Sequence, residues 1–273
     1  MKFAIPTAIL CGLTLGLHAH VIDSDTELPQ VASDTDAEYH EHQILGFTVY
    51  MSAQDTDDHP EKAEDMLWYV RSQLQKIIEV IPLSKVKLIR TVDIWVNDDY
   101  DEDDEVCGLA CYVQDGYTGD DFYEDRDGSA IIRDFEKPID DAWCCTHGLI
   151  LHEMAHALHD QFIKDGWDNS NIEVTYEVSK ATKEYNDNQV MYPWWTNQTR
   201  KHYGMTNARE FFATMTETRF LWYRVYPFNI RDLYEHDQSA YWMVYSFWYA
   251  EVVDNEIDPY SSSTEPNLPS EPL

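Results

Sequence analysis

The chain has 273 residues, of which 44% are hydrophobic and 14% aromatic, enough apolar surface to bury the core of one ordinary domain. Asp and Glu total 51 against 19 Lys and Arg, a formal net charge of −32. Such an acidic surface excludes nucleic acid and anionic membranes as partners and is accounted for by solubility.

At the N-terminus, Lys2 precedes an apolar run from Phe3 to about Leu17 and then small Ala19. The run is short for a bilayer span and is followed by polar residues, so residues 1–19 are expected to be a secretory signal cleaved after Ala19. Residues 20–43 are acidic with little apolar periodicity and are expected to lack structure, as is the tail 257–273, rich in Pro, Ser and Thr. Between them, 44–256 form one domain. ILGFTVYM (44–51) predicts a strand, and the apolar spacing of Ala63, Met66, Leu67, Val70, Leu74, Ile77 and Ile78 predicts a helix over 60–80. VKLIRTVDIWV (86–96) is β-rich, 98–138 is an acidic loop region, and SAIIRDF (129–135) predicts a short strand. After Asp140 the pattern is helical. The fold class expected is α+β, a mixed N-terminal sheet with helices followed by a helical half.

Outside the signal the cysteines are Cys107, Cys111, Cys144 and Cys145. In an exported chain, four cysteines predict two disulfides; the vicinal Cys144-Cys145 pair lacks the spacing of a four-thiolate zinc site. Bridges between the two couples close loops of roughly 33 to 38 residues, whereas pairing within a couple constrains little, so cross-couple bridges are expected in either of two pairings. Asn197-Gln198-Thr199 is a glycosylation sequon. The acidic runs at 98–105 and 120–128 do not fit a calcium-binding EF-hand loop, because Tyr123 stands where the first ligand belongs.

The chemistry concentrates in HGLILHEMAHALHDQF (147–162). On a helical wheel His152, Glu153, His156, His159 and Asp160 share one face, and Ile150, Leu151, Met154, Ala155, Ala157, Leu158 and Phe162 share the other. Solvated faces usually carry Lys and Arg, yet neither occurs from Ala142 to Phe162. His152 and His156, one turn apart, can direct two imidazoles to one zinc ion, with Glu153 beside it as a proton acceptor: an H-E-x-x-H pattern. The start of this helix is expected to be capped by Asp140 or Asp141. His159 lies a further turn along, out of reach of a shared metal, and is expected to hydrogen-bond Asp160 or a loop. The metzincin pattern is excluded, since it requires Gly at 159 and His at 162.

A third ligand is expected from KHYGMTNAREFFATMTETRF (201–220). Thr206 or Asn207 can cap a helix there, placing Glu210, Ala213, Thr214 and Glu217 on one face. Glu210 completes a set of two histidines and one glutamate; its alternative role is that of a capping-box residue behind Asn207.

The stretch Tyr203-Gly204-Met205-Thr206-Asn207-Ala208-Arg209-Glu210-Phe211-Phe212-Ala213 resembles the second catalytic segment of the lethal-factor-like gluzincin zinc peptidases. Over about residues 45–250 the order of elements is also similar to that of a group of secreted zincin-like proteins. The resemblance implies a zincin-like fold, zinc on His152, His156 and Glu210, and a hydrogen bond from Tyr203 to the oxyanion, with His202 as the substitute donor. The family often carries Glu directly after EFFA, where this chain has Thr214. The function expected is a secreted, monomeric zinc metallopeptidase acting on protein or peptide substrates, one Zn2+ per chain, with Glu153 as general base. Two rivals are a non-catalytic zincin-fold binding protein and a copper-brace oxygenase using His20 as its N-terminal residue. The aromatic stretch SAYWMVYSFWYAEVV (239–253) is expected to be core rather than a carbohydrate platform.

Overall fold

Two left-handed residues, Leu45 (φ 54°) and Gly46 (φ 87°), turn the chain between β2 (Tyr39–Ile44) and β3 (Phe47–Ser52) and fix their antiparallel register, Ile44 opposite Phe47. The structure is a computed structural model that describes residues 19–22, 39–98, 109–118, 121–134, 148–183, 185, 189–191 and 199–260. With β1 (Ala19–Ile22), β4 (Ile94–Val96), β5 (Ala110–Val113) and β6 (Ala130–Ile132), the hairpin forms a six-stranded sheet of order β1-β5-β6-β4-β3-β2. The β3–β4, β4–β6 and β1–β5 pairs are parallel, and β2–β3 and β5–β6 antiparallel, so the sheet is mixed as expected.

Parts of two of its strands, residues 20–22 and 39–43, lie in the segment expected to lack structure. In β2 (YHEHQI) only Ile44 is buried, and an edge strand of this kind leaves no hydrophobic alternation to read. The β-rich reading of 86–96 also needs correction. Val86, Leu88 and Ile89 belong to a helix, α3 (Leu83–Ile89), entered through Pro82, and only Ile94–Val96 is strand. Pro82 fixes an extended entry, and the apolar residues at 86 and 89 are spaced for a helix face as well as for a strand.

Helix α1 (Ala53–Asp58), capped by the Ser52 hydroxyl, precedes α2 (Pro60–Val80), which starts on Pro60 and buries Ala63, Met66, Tyr69, Val70, Leu74 and Ile77. Alternate sheet residues divide between two layers. Val49, Met51, Ile94, Val96, Tyr112, Ala130 and Ile132 face the main core; Cys111, Val113 and Ile131 pack with Tyr117, Tyr123 and Trp95 on the opposite face. Cys111 is disulfide-bonded; Cys107, Cys144 and Cys145, and with them the pairing, lie outside the described residues.

Beyond a short α4 (Asp121–Glu124), the second half is helical: α5 (Leu149–Ala157), α6 (Ser170–Thr182), α7 (Ala208–Phe220), α8 (Ile230–His236) and α9 (Gln238–Tyr249). Two-stranded ribbons join β7 (Gln189–Val190) to β8 (Thr199–Arg200) and β9 (Val252–Val253) to β10 (Glu256–Ile257). The aromatic stretch is core: Tyr241, Phe247 and Trp248 are fully buried, Trp248 donates from Nε1 to Thr216 Oγ1 at 3.1 Å, and the Arg219 guanidinium lies 4.2 Å from the Tyr241 ring centre. These contacts hold α9 against α7, which carries half of the polar cluster described next.

Candidate metal centre

Helix α5 is shorter than the motif that contains it. It begins at Leu149 with Gly148 in the cap position, Asp140 and Asp141 lying outside the described residues, and it passes at Leu158 into a π-helical turn, Leu158–Phe162. All nine of its residues are buried, the polar ones included. Such burial of His152, Glu153 and His156 is costly unless a partner compensates it.

The compensation comes from α7. Asn207 caps that helix, its side chain accepting from the Glu210 amide at 2.9 Å. The cap thus uses the main chain of Glu210 and leaves its carboxylate to point at α5, where Nε2 of His152 and Nε2 of His156 converge on Oε2 at 3.0 and 3.4 Å. One ligand atom from each of the three residues lies within 4.8 Å of the others, so His152, His156 and Glu210 form a group able to hold a metal ion. Two imidazole nitrogens and one carboxylate oxygen in a buried site suit zinc, and leave a coordination position for water.

Glu217, two turns beyond Glu210 along α7, contacts the other side of His152: its Oε1 lies 2.6 Å from Nδ1. A carboxylate on the remote nitrogen fixes the ring and its tautomer and raises its basicity as a ligand. The Thr214 hydroxyl makes no hydrogen bond among the described residues. Gly148 makes room for Glu217. A Cβ there would stand 2.5 Å from Glu217 Oε2 and 3.0 Å from Cδ, although the Gly148 φ of −123° suits any residue. Glu217→Gln and Gly148→Ala are each expected to weaken metal affinity by roughly 10–100-fold without unfolding the protein, as read by competition with a metal-binding dye. Unchanged affinity in both variants would show that the Glu217 contact is not used.

Burial disfavours the His152 imidazolium, but the hydrogen bonds to Glu210 and Glu217 outweigh it and raise the pKa well above the ordinary value. Burial acts on Glu210 in the upward direction; His156 and His152 reverse this and bring its pKa down to about 2. Glu153 is different. Neither of its oxygens has a hydrogen-bond partner among the described residues, and burial first, then the charges of Glu210 and Glu217, raise its pKa well above the carboxylate range. Its carboxyl is held buried and without a hydrogen-bond partner beside the cluster. Tyr203, in a 3-10 turn just before α7, has its ring centre 6.1 Å from that of His152, and burial followed by the charges of Glu210 and Glu153 raises its phenol well above the ordinary value. Comparison with protein-family models, with curated proteins and with solved structures finds no match. The site must be interpreted from its own atoms.

Two predicted neighbours play other parts. His159 is not bonded to Asp160: its ring packs between Trp167 (4.7 Å) and Phe212 (5.3 Å), and burial lowers its pKa well below normal. Asp160 instead accepts from the Tyr112 hydroxyl at 2.9 Å and the Asp115 amide at 2.8 Å, fastening the π turn to β5. His202 is packed against Tyr185 (4.9 Å) and Tyr223 (5.3 Å), away from the triad, while Tyr203 faces it. Asn197 lies outside the described residues.

His202 gives the fold an acid sensitivity. Burial, with a smaller contribution from His236, lowers its pKa from 6.5 to about 3. The unfolded chain therefore takes a proton there near pH 6.5 while the folded chain does not, so stability is complete above pH 6.5 and falls as pH drops toward 3, by at most about 5 kcal/mol. The urea midpoint of His202→Gln is expected to change less between pH 7 and pH 4 than that of the unaltered protein. Equal slopes would refute the assignment.

Proposed function

We propose that this chain is a zinc-dependent peptidase of zincin-like fold, exported and acting on protein or peptide substrates. The observation that carries the reading is the pairing of the His152–His156–Glu210 triad with a buried, unpartnered carboxylate, Glu153, one residue from the first ligand. The resemblance of residues 203–213 to lethal-factor-like gluzincins supports it from the sequence side. In this reading His152 and His156 on α5 and Glu210 on α7 hold one zinc ion. Zinc bound there lowers the pKa of a coordinated water toward about 7 and polarises the scissile carbonyl.

The remaining work belongs to the chain. Glu153 accepts the proton of the attacking water and delivers it to the nitrogen of the leaving amine. The Tyr203 hydroxyl donates a hydrogen bond to the carbonyl oxygen as negative charge develops on it. Glu217 holds the His152 ring, and the Asn207 cap fixes the first turn of α7 from which Glu210 projects. Among the described residues no helix is long and apolar enough to cross a membrane.

The test combines stoichiometry and turnover. Elemental analysis of the secreted protein is expected to find one zinc per chain, and profiling against a proteome-derived peptide library is expected to show cleavage that a chelator abolishes and zinc restores. Folded, zinc-supplied protein that binds no zinc would refute the metal assignment; zinc-loaded protein that cleaves no peptide would refute the chemistry.

A further inference from the structure

Trp167 stands on the His156 side of the metal centre. Its ring centre is 6.2 Å from that of His156, 4.7 Å from that of His159 and 6.1 Å from that of Tyr112. The turn that carries it is fixed at both ends. Asp165 (φ 65°) and Gly166 (φ 47°) are left-handed and lead into a 3-10 turn, Gly166–Asp168. A Cβ at Gly166 would lie 3.0 Å from the Asp160 main-chain oxygen, so the turn folds back closely onto the π turn after α5. Beyond it, the Asn169 amide donates to Lys164 O at 2.9 Å, and its side-chain oxygen caps α6 by accepting from the Ile172 amide at 3.2 Å. The indole is thereby held as a fixed wall of the centre.

Arg209 lies against that wall, its Cζ 4.7 Å from the Trp167 ring centre. It immediately precedes Glu210 on α7, so the helix that supplies the third ligand also delivers a cation beside His156. The charge is felt there: burial, then His156 and Arg209, hold the His159 imidazole well below its ordinary value. Arg209 and Trp167 are both partly exposed, whereas the neighbouring His159 and Phe212 are buried. A guanidinium has several N–H donors and can hold a ligand carboxylate alongside partners within the chain. The Trp167 Nε1 atom is a second donor in the same place, buried and making no hydrogen bond among the described residues. With 19 basic residues against 51 acidic ones, the composition of the chain does not account for an arginine at this point.

We propose that Arg209, laid on Trp167, forms a subsite for an acidic side chain, so that the centre selects peptides carrying Asp or Glu next to the bond that is cleaved. The carboxylate accepts from the guanidinium, a charge-assisted contact that an amide of the same shape does not reproduce. Stacking on the indole fixes the plane of the guanidinium and so the direction from which the carboxylate approaches. That the ligand is a peptide substrate rests on the peptidase reading; recognition of a carboxylate beside the metal does not require catalysis.

The test uses the zinc-loaded full chain and two probes. One is the peptide library, followed by matched substrates with Glu, Gln or Lys at the position the library selects. The other is a set of peptide hydroxamates with the same three residues beside the metal-binding group, whose affinity is measured by calorimetry and needs no turnover. Glu is expected to exceed Gln by at least about tenfold in kcat/KM and in hydroxamate affinity. Arg209→Gln is expected to bring that ratio close to one, and Arg209→Glu to reverse it in favour of Lys, a change of sign that a merely structural role would not produce. Arg209→Lys and Trp167→Phe, which keep the charge and the ring respectively, are expected to reduce the ratio several-fold at unchanged zinc content. Cleavage with no preference for Asp or Glu, or a preference that survives in Arg209→Gln, would overturn the subsite and leave the peptidase reading intact. Hydroxamates ranked by Arg209 as expected, with no peptide cleaved, would leave the subsite standing and overturn the peptidase reading.

Discussion

Replacing Glu210 by alanine is expected to remove the metal from the protein outright. Glu210 is the element on which both His152 Nε2 and His156 Nε2 converge, and it reaches them from a different helix, so no neighbour on α5 can take its place. The closest other carboxylates are committed or displaced: Glu217 is on the far nitrogen of His152, and Glu153 is unpartnered but sits on α5 itself, one residue after His152. Two histidines alone leave a four-coordinate ion half-liganded by protein. The loss in affinity should therefore exceed the roughly 10–100-fold expected from disturbing Glu217, which only orients a ligand. The Asn207 cap bonds the main chain at 210 and survives the substitution, so α7 should persist. Elemental analysis together with far-ultraviolet circular dichroism reads both. A folded Glu210→Ala protein that keeps stoichiometric zinc would show that the ligand set is wrong.

Glu153→Gln is expected to do the opposite, keeping the metal and losing the reaction. The substitution preserves shape in a fully buried position, where the Glu153 oxygens engage no other described side chain, so packing has little to lose. What disappears is the proposed proton acceptor, and general-base contributions are worth about 10²–10⁴ in rate. Turnover on any peptide cut by the unaltered protein should fall by that factor at equal zinc content. Near-normal turnover would remove Glu153 from the mechanism, whereas a loss of zinc would make it a ligand.

The sequence revealed the site more fully than the fold around it. His152, Glu153 and His156 are fixed by spacing within one helix, and Glu210 by a capping residue three positions earlier, all local relations that periodicity exposes. The hydrogen bond that Glu217 accepts from His152 was less legible, because it spans two helices and depends on space at Gly148, which no spacing rule registers. His159 is outside the metal group, as its place a turn beyond His156 led one to expect, but its neighbours were not legible: the packing slot between Trp167 and Phe212 and the π turn from Leu158, not Asp160, decide its surroundings. In the sheet, β3 and β6 announce themselves by apolar runs. β2 is polar and edge-bound, and β1 is held by main-chain pairing, so hydrophobicity could not mark either. Residues 86–89 satisfied two periods at once, and the Pro82 entry selected the helix.

The approach of Glu217 to Gly148 makes these distant positions a single heritable unit. A Cβ at 148 would push the Glu217 side chain from its place, and the shorter aspartate needs less room, so Gly148→Ala should be harmful alone and milder beside Glu217→Asp. Sequences descended from a common ancestor with this chain should then preserve Gly and Glu together or change them together. The covarying pair, glycine four residues before the first histidine and glutamate seven after the third ligand, would mark kinship that the five-residue H-E-x-x-H pattern is too common to establish.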